Sequence, residues 1–326
     1  MNFRDDKPVL AGDRRIQGVR ADLDVLLQLR FAARHLALNW SKKTTAARMG
    51  EYASAFRGRG MEFDEIRHYQ PGDDIRRMDW RVTARTGQPY TKVFREEREQ
   101  PVILVVDQSS TMHFGTRLAF KAVSATHAAA MLAWASAHHG DRVGGFVFSQ
   151  NIFREIRPCK GTKGVVSVIN AMVQVNHGYL PNDAIAERGL LMSVLRKLSH
   201  AVRPGSLIFF FSDFFNYSPE HEVYLRKLCR HNELVLALVH DPLEENPPPP
   251  GRYMFSDGLR FLEVNTASGK FQQEYRNHFH RRRDLLADTC KKLNLHFFSL
   301  GTHESVETVL KQALNRGYAM PYPQTR

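Results

Sequence analysis

Two short runs constrain the chain more than any other feature. Residues 102–106 read VILVV and residues 207–211 read LIFFF. Continuous apolar segments of strand length, rich in β-branched and aromatic side chains, are what strands buried on both faces require. Residues 142–148 (RVGGFVF), 233–239 (ELVLALV) and 296–299 (HFFS) also read as strands. Helical patterning falls between them, over residues 116–138, 162–175, 183–199, 220–230, 280–292 and 305–315. Such alternation predicts an α/β fold with a mostly parallel sheet wrapped by helices on both faces. Ligands of such sheets gather at the carboxyl ends of the strands, where the strand order reverses, so that is where chemistry is sought.

The first hundred residues have a different texture. Residues 19–38 place Leu23, Leu26, Leu27, Leu29, Phe31 and Leu36 at helical spacing, which predicts an amphipathic helix. From residue 50 to 98, Gly58, Gly60, Pro71-Gly72 and Gly87 punctuate short segments such as 91–94. They predict a small, turn-rich β element with one or two short helices. The expected division is therefore 1–100 and 101–326. An insertion over 241–275 carries a proline run at 247–250 and a hairpin around Asp257-Gly258.

Composition narrows the function classes. The net charge is +12, but the basic residues are spread along the chain among acids. The densest cluster, 276–292, includes Arg281-Arg282-Arg283 and reads as a helix with a solvated face. A nucleic-acid role is open on charge alone, without a reading motif or an aromatic platform to support it. The three cysteines, Cys159, Cys229 and Cys290, are far apart, which argues against a disulfide framework and structural zinc. The N-terminus lacks an apolar leader core, and the Ala-rich stretch 122–139 contains three histidines. A cytoplasmic protein without membrane insertion is expected. There is no Walker-type loop, H-E-x-x-H or G-x-S-x-G motif, and a non-enzymatic role is expected. His240-Asp241 could form an acid/base pair, although Pro242 points to a turn.

At the end of the first core strand stands Asp107-Gln108-Ser109-Ser110-Thr111. A carboxylate with hydroxyls at +2 and +4 offers three oxygens from one turn, the donor chemistry of a hard cation such as Mg²⁺ or Mn²⁺. Asp213 ends the LIFFF strand, and two strand ends of one parallel sheet can share a crevice. Asp107 and Ser109 taken alone fit a turn or helix cap equally well; Asp213 and the order of elements favour a metal site.

The D-x-S-x-[ST] loop and the distal aspartate resemble the metal-ion-dependent adhesion site of von Willebrand factor A domains. The resemblance makes Asp107, Ser109 and Thr111 the first-loop ligands and Asp213 the distal one. It also implies an open coordination position that an acidic group of a partner protein fills. The expected threonine turn falls near residues 180–183, where Asn182 stands in the threonine slot, a departure from the pattern. A narrower resemblance spans nearly the whole chain. Gly58-x-Gly60-x-Glu62-Phe63, Arg67-His68-Tyr69, Pro71-Gly72-Asp73-Asp74-Ile75-Arg76, Asp79-Trp80 and Ala84-Arg85 carry it. So do His240-Asp241-Pro242-Leu243-Glu244, Glu263-Val264-Asn265-Thr266 and Gly301-Thr302. Together they are similar to the bacterial domain-of-unknown-function fifty-eight family, von Willebrand factor A-like proteins encoded beside MoxR-type AAA+ ATPases. Many members carry two N-terminal membrane helices; this sequence resembles a short form without them. The resemblance implies an adaptor that works with such an ATPase in protein maturation or assembly.

Within the 58–85 run, Arg76, Arg77, Arg81 and Arg85 either salt-bridge the element onto the core domain or form a partner-facing patch. A third possibility is a metal-dependent hydrolase using Asp107 and Asp213, with His113 or His177 as the nearest candidate bases.

Overall fold

The structure is a computed structural model that describes residues 18–36, 61–70, 75–96, 100–178, 189–256 and 261–315. The chain divides into two units, Lys43–Glu99 and the remainder.

The larger unit opens with helix α1 (Leu23–Ala32), shorter than the 19–38 expected. Asp22 caps it by accepting from the backbone N–H of Asp24 and Val25. The smaller unit pairs strands β1 (Met61–His68) and β2 (Tyr90–Glu96) antiparallel around the short helix α2 (Trp80–Thr86). Asp79 caps α2, and Gly87, at φ 72°, ends it in the left-handed conformation that glycine adopts without penalty. This unit is the turn-rich β element expected over 50–98; Gly58, Gly60 and Pro71 to Asp74 lie outside the described residues.

The rest of the larger unit runs β3 (Pro101–Asp107), α3 (Lys121–His138), β4 (Arg142–Phe148), β5 (Phe153–Lys160), α4 (Thr162–His177), α5 (Leu190–Ala201), β6 (Leu207–Ser212), α6 (Glu222–Cys229) and β7 (Glu233–His240). It continues through the one-turn α7 (Pro242–Glu245), the hairpin β8 (Arg252–Ser256) and β9 (Phe261–Asn265), α8 (Gly269–Leu293), β10 (His296–Gly301) and α9 (Val306–Asn315). The main sheet has the order β10-β7-β6-β3-β4-β5 and is parallel except for β5. The chain thus has the mostly parallel α/β architecture expected of a von Willebrand factor A-like domain. Order reverses between β3 and β6, so Asp107 and Ser212 end neighbouring strands at the switch point.

Alternation along β3 builds two cores. Val102, Leu104 and Val106 face the side covered by α1, α3, α4 and α9. Ile103 and Val105 face α5, α6 and α8. Helix α3 is buried on all sides from Lys121 to Ser136; its alanines let neighbouring helices approach closely. In β4, a Cβ on Gly145 would lie 2.5 Å from the Leu104 carbonyl oxygen, so only glycine fits that pairing.

Three elements depart from the sequence expectation. Strand β5 (FREIRPCK) is an antiparallel edge strand, half exposed and bulged against β4, and its polar sequence hides it. The helix expected from residue 116 starts at Lys121, because the intervening loop is held by the site described below. Helix α8 starts at Gly269 instead of 280, so the insertion ends before it, and its first turns are polar and largely exposed. The expected hairpin is present; its turn, 257–260, lies outside the described residues.

Helix α1 belongs to the larger unit. Leu26 is fully buried among its apolar neighbours, and the Trp134 indole N–H donates to the Leu26 carbonyl at 3.1 Å. Leu26→Ala is expected to cost about 2–5 kcal/mol, the range for removing a buried leucine, read as a lower urea midpoint.

Candidate metal centre

The site starts from how β3 ends. Gln108 continues the strand for one bond, its N–H donating to the Phe148 carbonyl at 2.8 Å. Asp107 then folds the chain back, its Oδ1 accepting from the Ser109 N–H at 2.8 Å. A 3-10 turn over Ser110–Met112 follows, and it brings the Ser109 and Thr111 hydroxyls to 3.2 Å of each other. From the neighbouring strand end, Ser212 donates to Asp107 Oδ2 at 2.6 Å. Asp213 follows it, 1% exposed, and accepts from the Phe215 N–H at 3.0 Å. Phe214, between them, has φ 47°, a left-handed conformation that costs a bulky residue about 1–2 kcal/mol. The Ser212 hydroxyl accepting its N–H and the burial of its ring hold it there.

These residues form the floor of a small, solvent-open cleft. Asp107, Ser109, Thr111, Ser212 and Asp213 make its polar base; Leu190, Leu191, Phe148, Phe214 and Phe215 make an apolar wall. The structure thus brings together four of the five residues assigned to the metal from sequence. Asn182 lies outside the described residues.

Electrostatics separate the two aspartates. Burial, reinforced by the charge of Asp213, pushes the Asp107 carboxyl up to about 6, against the pull of the Ser212 and Ser109 hydrogen bonds. Asp213 goes the other way. Burial opposes its charge, but the Lys121 and Arg282 cations and hydrogen bonds from Lys121 and Thr111 together outweigh that and hold the carboxyl below the usual range. The Lys121 ammonium, 1% exposed, lies 2.7 Å from Asp213 Oδ2 and 2.7 Å from Glu244 Oε1. Burial would discharge it; the two carboxylates win and raise its pKa.

The family profile described as "Protein of unknown function DUF58" matches residues 65–285. The chain belongs to the DUF58 family. An uncharacterized protein of Mycobacterium tuberculosis and one of Mycobacterium bovis are each 29% identical over 240 residues, covering 73% of this chain and 73% of theirs. Among solved structures, the chain resembles a conserved hypothetical protein BatB from Bacteroides thetaiotaomicron. The TM-score is 0.40 at 13% identity, over 67% of this chain and 98% of that one.

DUF58 motif residues that carried no chemistry in the sequence prove to brace the cleft. Asp241, fully buried, accepts from the Thr116 N–H (2.8 Å), the Thr116 hydroxyl (2.6 Å), the Thr302 hydroxyl (2.6 Å) and the Leu243 N–H (2.9 Å). Glu244 Oε2 accepts from the Asp241 N–H, closing a capping box on α7. Asp241 is therefore a turn residue, and its oxygens bind hydroxyls and amides, which contradicts an acid/base pair with His240. Gln108 extends the bracing inward. It donates to Thr126 at 2.8 Å and accepts from Asn176, whose Oδ1 takes the Ala21 N–H at 2.9 Å.

Other assignments separate from the cleft. Neither His113 nor His177 lines it. Burial lowers His113 to about 4, and His177 bonds the Ala21 carbonyl. Arg76, Arg81 and Arg85 lie exposed in the smaller unit, Arg81 and Arg85 four residues apart on α2; the Arg77 side chain is outside the described residues. In the basic α8 cluster, Arg283 pairs with Asp284, Lys291 with Asp288 and Lys292 with Glu222. Arg282 is buried against the rings of Phe215 and Phe279.

Do these residues suit a divalent cation? No group of three or more His, Cys, Asp or Glu forms a metal cluster among the described residues, so a carboxylate- or imidazole-rich centre is not offered there. The donor chemistry instead matches an oxygen site built on one carboxylate and two hydroxyls. Asp107 carries a buried negative charge that no ammonium or guanidinium contacts in the described residues, and that charge is what a cation would meet. The residues fit, with one qualification supplied by Lys121, which already neutralises the second carboxylate. Nothing local marks Lys121 in the sequence, since a lysine in an Ala-rich helix ordinarily faces water.

Proposed function

We propose that this DUF58 chain is a non-enzymatic, cytoplasmic binding adaptor whose cleft holds Mg²⁺ or Mn²⁺ and receives an acidic side chain of a partner protein. The observation that carries the reading is the convergence of Asp107, Ser109, Thr111 and Asp213, from two neighbouring strand ends, on the floor of one open cleft. Asp107, Ser109 and Thr111 would hold the cation, and Asp213, tied to Lys121, would stand behind them. When bound, the cation would supply a Lewis-acidic position for a partner's Asp or Glu. The Ser109 N–H and Ser212 hydroxyl orient Asp107 for this role, and the buried Asp241 network keeps the loop rigid. The partner that family resemblance favours is a MoxR-type AAA+ ATPase, in protein maturation or assembly. Among the described residues, no helix is long and apolar enough to cross a membrane. Pairing of Arg283, Lys291 and Lys292 with nearby carboxylates speaks against a nucleic-acid role, and among the described residues no histidine lines the cleft to serve a hydrolase as base.

Calorimetric titration of Mg²⁺ and Mn²⁺ into chelator-stripped protein tests the reading. Saturable binding that Asp107→Ala abolishes, with circular dichroism unchanged, is the expected result, as is a complex with the purified ATPase that dissociates in chelator. Absence of cation binding by the folded protein would overturn it.

A further inference from the structure

The adhesion-type donor set needs no lysine, yet the most buried ammonium in the described residues sits against one of its carboxylates. Lys121 is the first residue of α3 and reaches from that helix end to the ends of β6 and β7. Its Nζ bridges Asp213 Oδ2 and Glu244 Oε1, at 2.7 Å each. Arg282 Nη2 adds a second cation 4.0 Å from Glu244 Oε1. Of the carboxylates around the cleft floor, Asp213 is thus matched by a fixed positive charge, while Asp107 is held only by hydroxyl and amide donors. A fixed ammonium of this kind does two things to a cation bound at Asp107. It repels the cation directly, in surroundings that screen charge less than water does. It also keeps the distal carboxylate occupied, so that the cation loses a ligand.

Building on the metal-site reading, we propose that Lys121 is the affinity-setting residue of the cleft: its ammonium holds Asp213 out of the coordination shell, so that the cleft binds a divalent cation weakly alone and tightly only once a partner carboxylate completes the shell. A site this poised ties cation capture to partner capture, since each supplies what the other lacks.

The test is titration of Mn²⁺ into the full chain as wild type, Lys121→Met, Asp213→Asn and Lys121→Met/Asp213→Asn. Lys121→Met is expected to bind Mn²⁺ at least about tenfold more tightly, and the double variant to lose that gain. Asp213→Asn alone is expected to change the wild-type affinity by less than about threefold. Should Lys121→Met fail to fold because Glu244 is left unpaired, Lys121→Met/Glu244→Gln carries the same expectation. Wild-type binding with an equal or weaker Lys121→Met affinity overturns this inference and leaves the metal site standing. So does a tenfold or greater loss on Asp213→Asn alone, about 1.4 kcal/mol, which would make Asp213 a direct ligand. No binding by wild type or by any Lys121 variant overturns both.

Discussion

Replacing Asp241 with alanine is expected to lower the free energy of unfolding by about 3–5 kcal/mol, among the largest effects of any single polar substitution in this chain. The carboxylate is fully buried and takes four hydrogen bonds, two from Thr116, one from Thr302 and one from the Leu243 N–H. Truncation leaves four donors without their acceptor, and of these the buried Thr302 hydroxyl has no water to turn to, whereas Thr116 is exposed. It also frees three chain segments that the residue ties together: the loop before α3, the start of α7 and the end of β10. Burial alone would raise this carboxyl; the Thr116 and Thr302 hydroxyls outweigh it and hold its pKa below the ordinary value. Asp241 therefore contributes stability that is present above the unfolded-state pKa and is lost as the pH falls through the lower folded value. Asp241→Asn, which keeps one acceptor oxygen, is expected to cost less, about 1–3 kcal/mol. Chemical denaturation at pH 7 checks both, and an alanine variant within 1 kcal/mol of wild type, roughly one hydrogen bond, would contradict the bracing role.

The second large effect has the opposite sign with pH. Asp107 has a carboxyl pushed up to about 6 from an unperturbed 3.8, so its ionised form is the one the metal-free fold disfavours. The protonated fold is fully stable with respect to this group below the unfolded value, and that stability is lost as the pH rises through about 6. In chelator, the stability of Asp107→Asn relative to wild type is therefore expected to increase by about 2 kcal/mol between pH 4 and pH 8. Parallel urea titrations of the two proteins read Asp107 together with its coupling to Asp213, while Asp241 titrates in both. Saturating Mn²⁺ is expected to narrow the gap at pH 8 by stabilising wild type alone, by about 2.7 kcal/mol at a hundredfold excess over Kd. A gap that is flat from pH 4 to 8 would show that Asp107 is not an uncompensated charge.

The strands were legible where the sheet is buried on both sides. VILVV and LIFFF can hardly be anything else, and they place Asp107 and Asp213 at strand ends without further information. The family resemblance adds the architecture, and the sheet agrees with it. Strand β5 was not legible, because an edge strand shows solvent-facing Arg154, Glu155 and Arg157 in place of an apolar run. The early turns of α8 were hidden for a related reason, being a polar helix with no core to pattern it. At the site, Asp107 and the Ser109 and Thr111 hydroxyls could be read from spacing, since one turn presents them, and Asp213 from its place at the end of the second apolar run. Lys121, Asp241 and Glu244 could not. The partners that tie them to the site lie 61 to 125 residues away, and nothing local distinguishes a lysine that will be buried from one that will not. The resemblance had marked His240 to Glu244 and Gly301-Thr302 as signature residues; only the folded chain shows that they brace the cleft.

Anomalous diffraction from crystals equilibrated with Mn²⁺ shows whether Asp107, Ser109 and Thr111 form a cation site. A manganese peak is expected on the cleft floor, about 2.0–2.2 Å from an Asp107 oxygen and from the Ser109 and Thr111 hydroxyls, with Lys121 still paired to Asp213. Crystals whose manganese peaks all lie elsewhere, with the cleft floor holding only water, would contradict it and return Asp107 to the role of a turn residue.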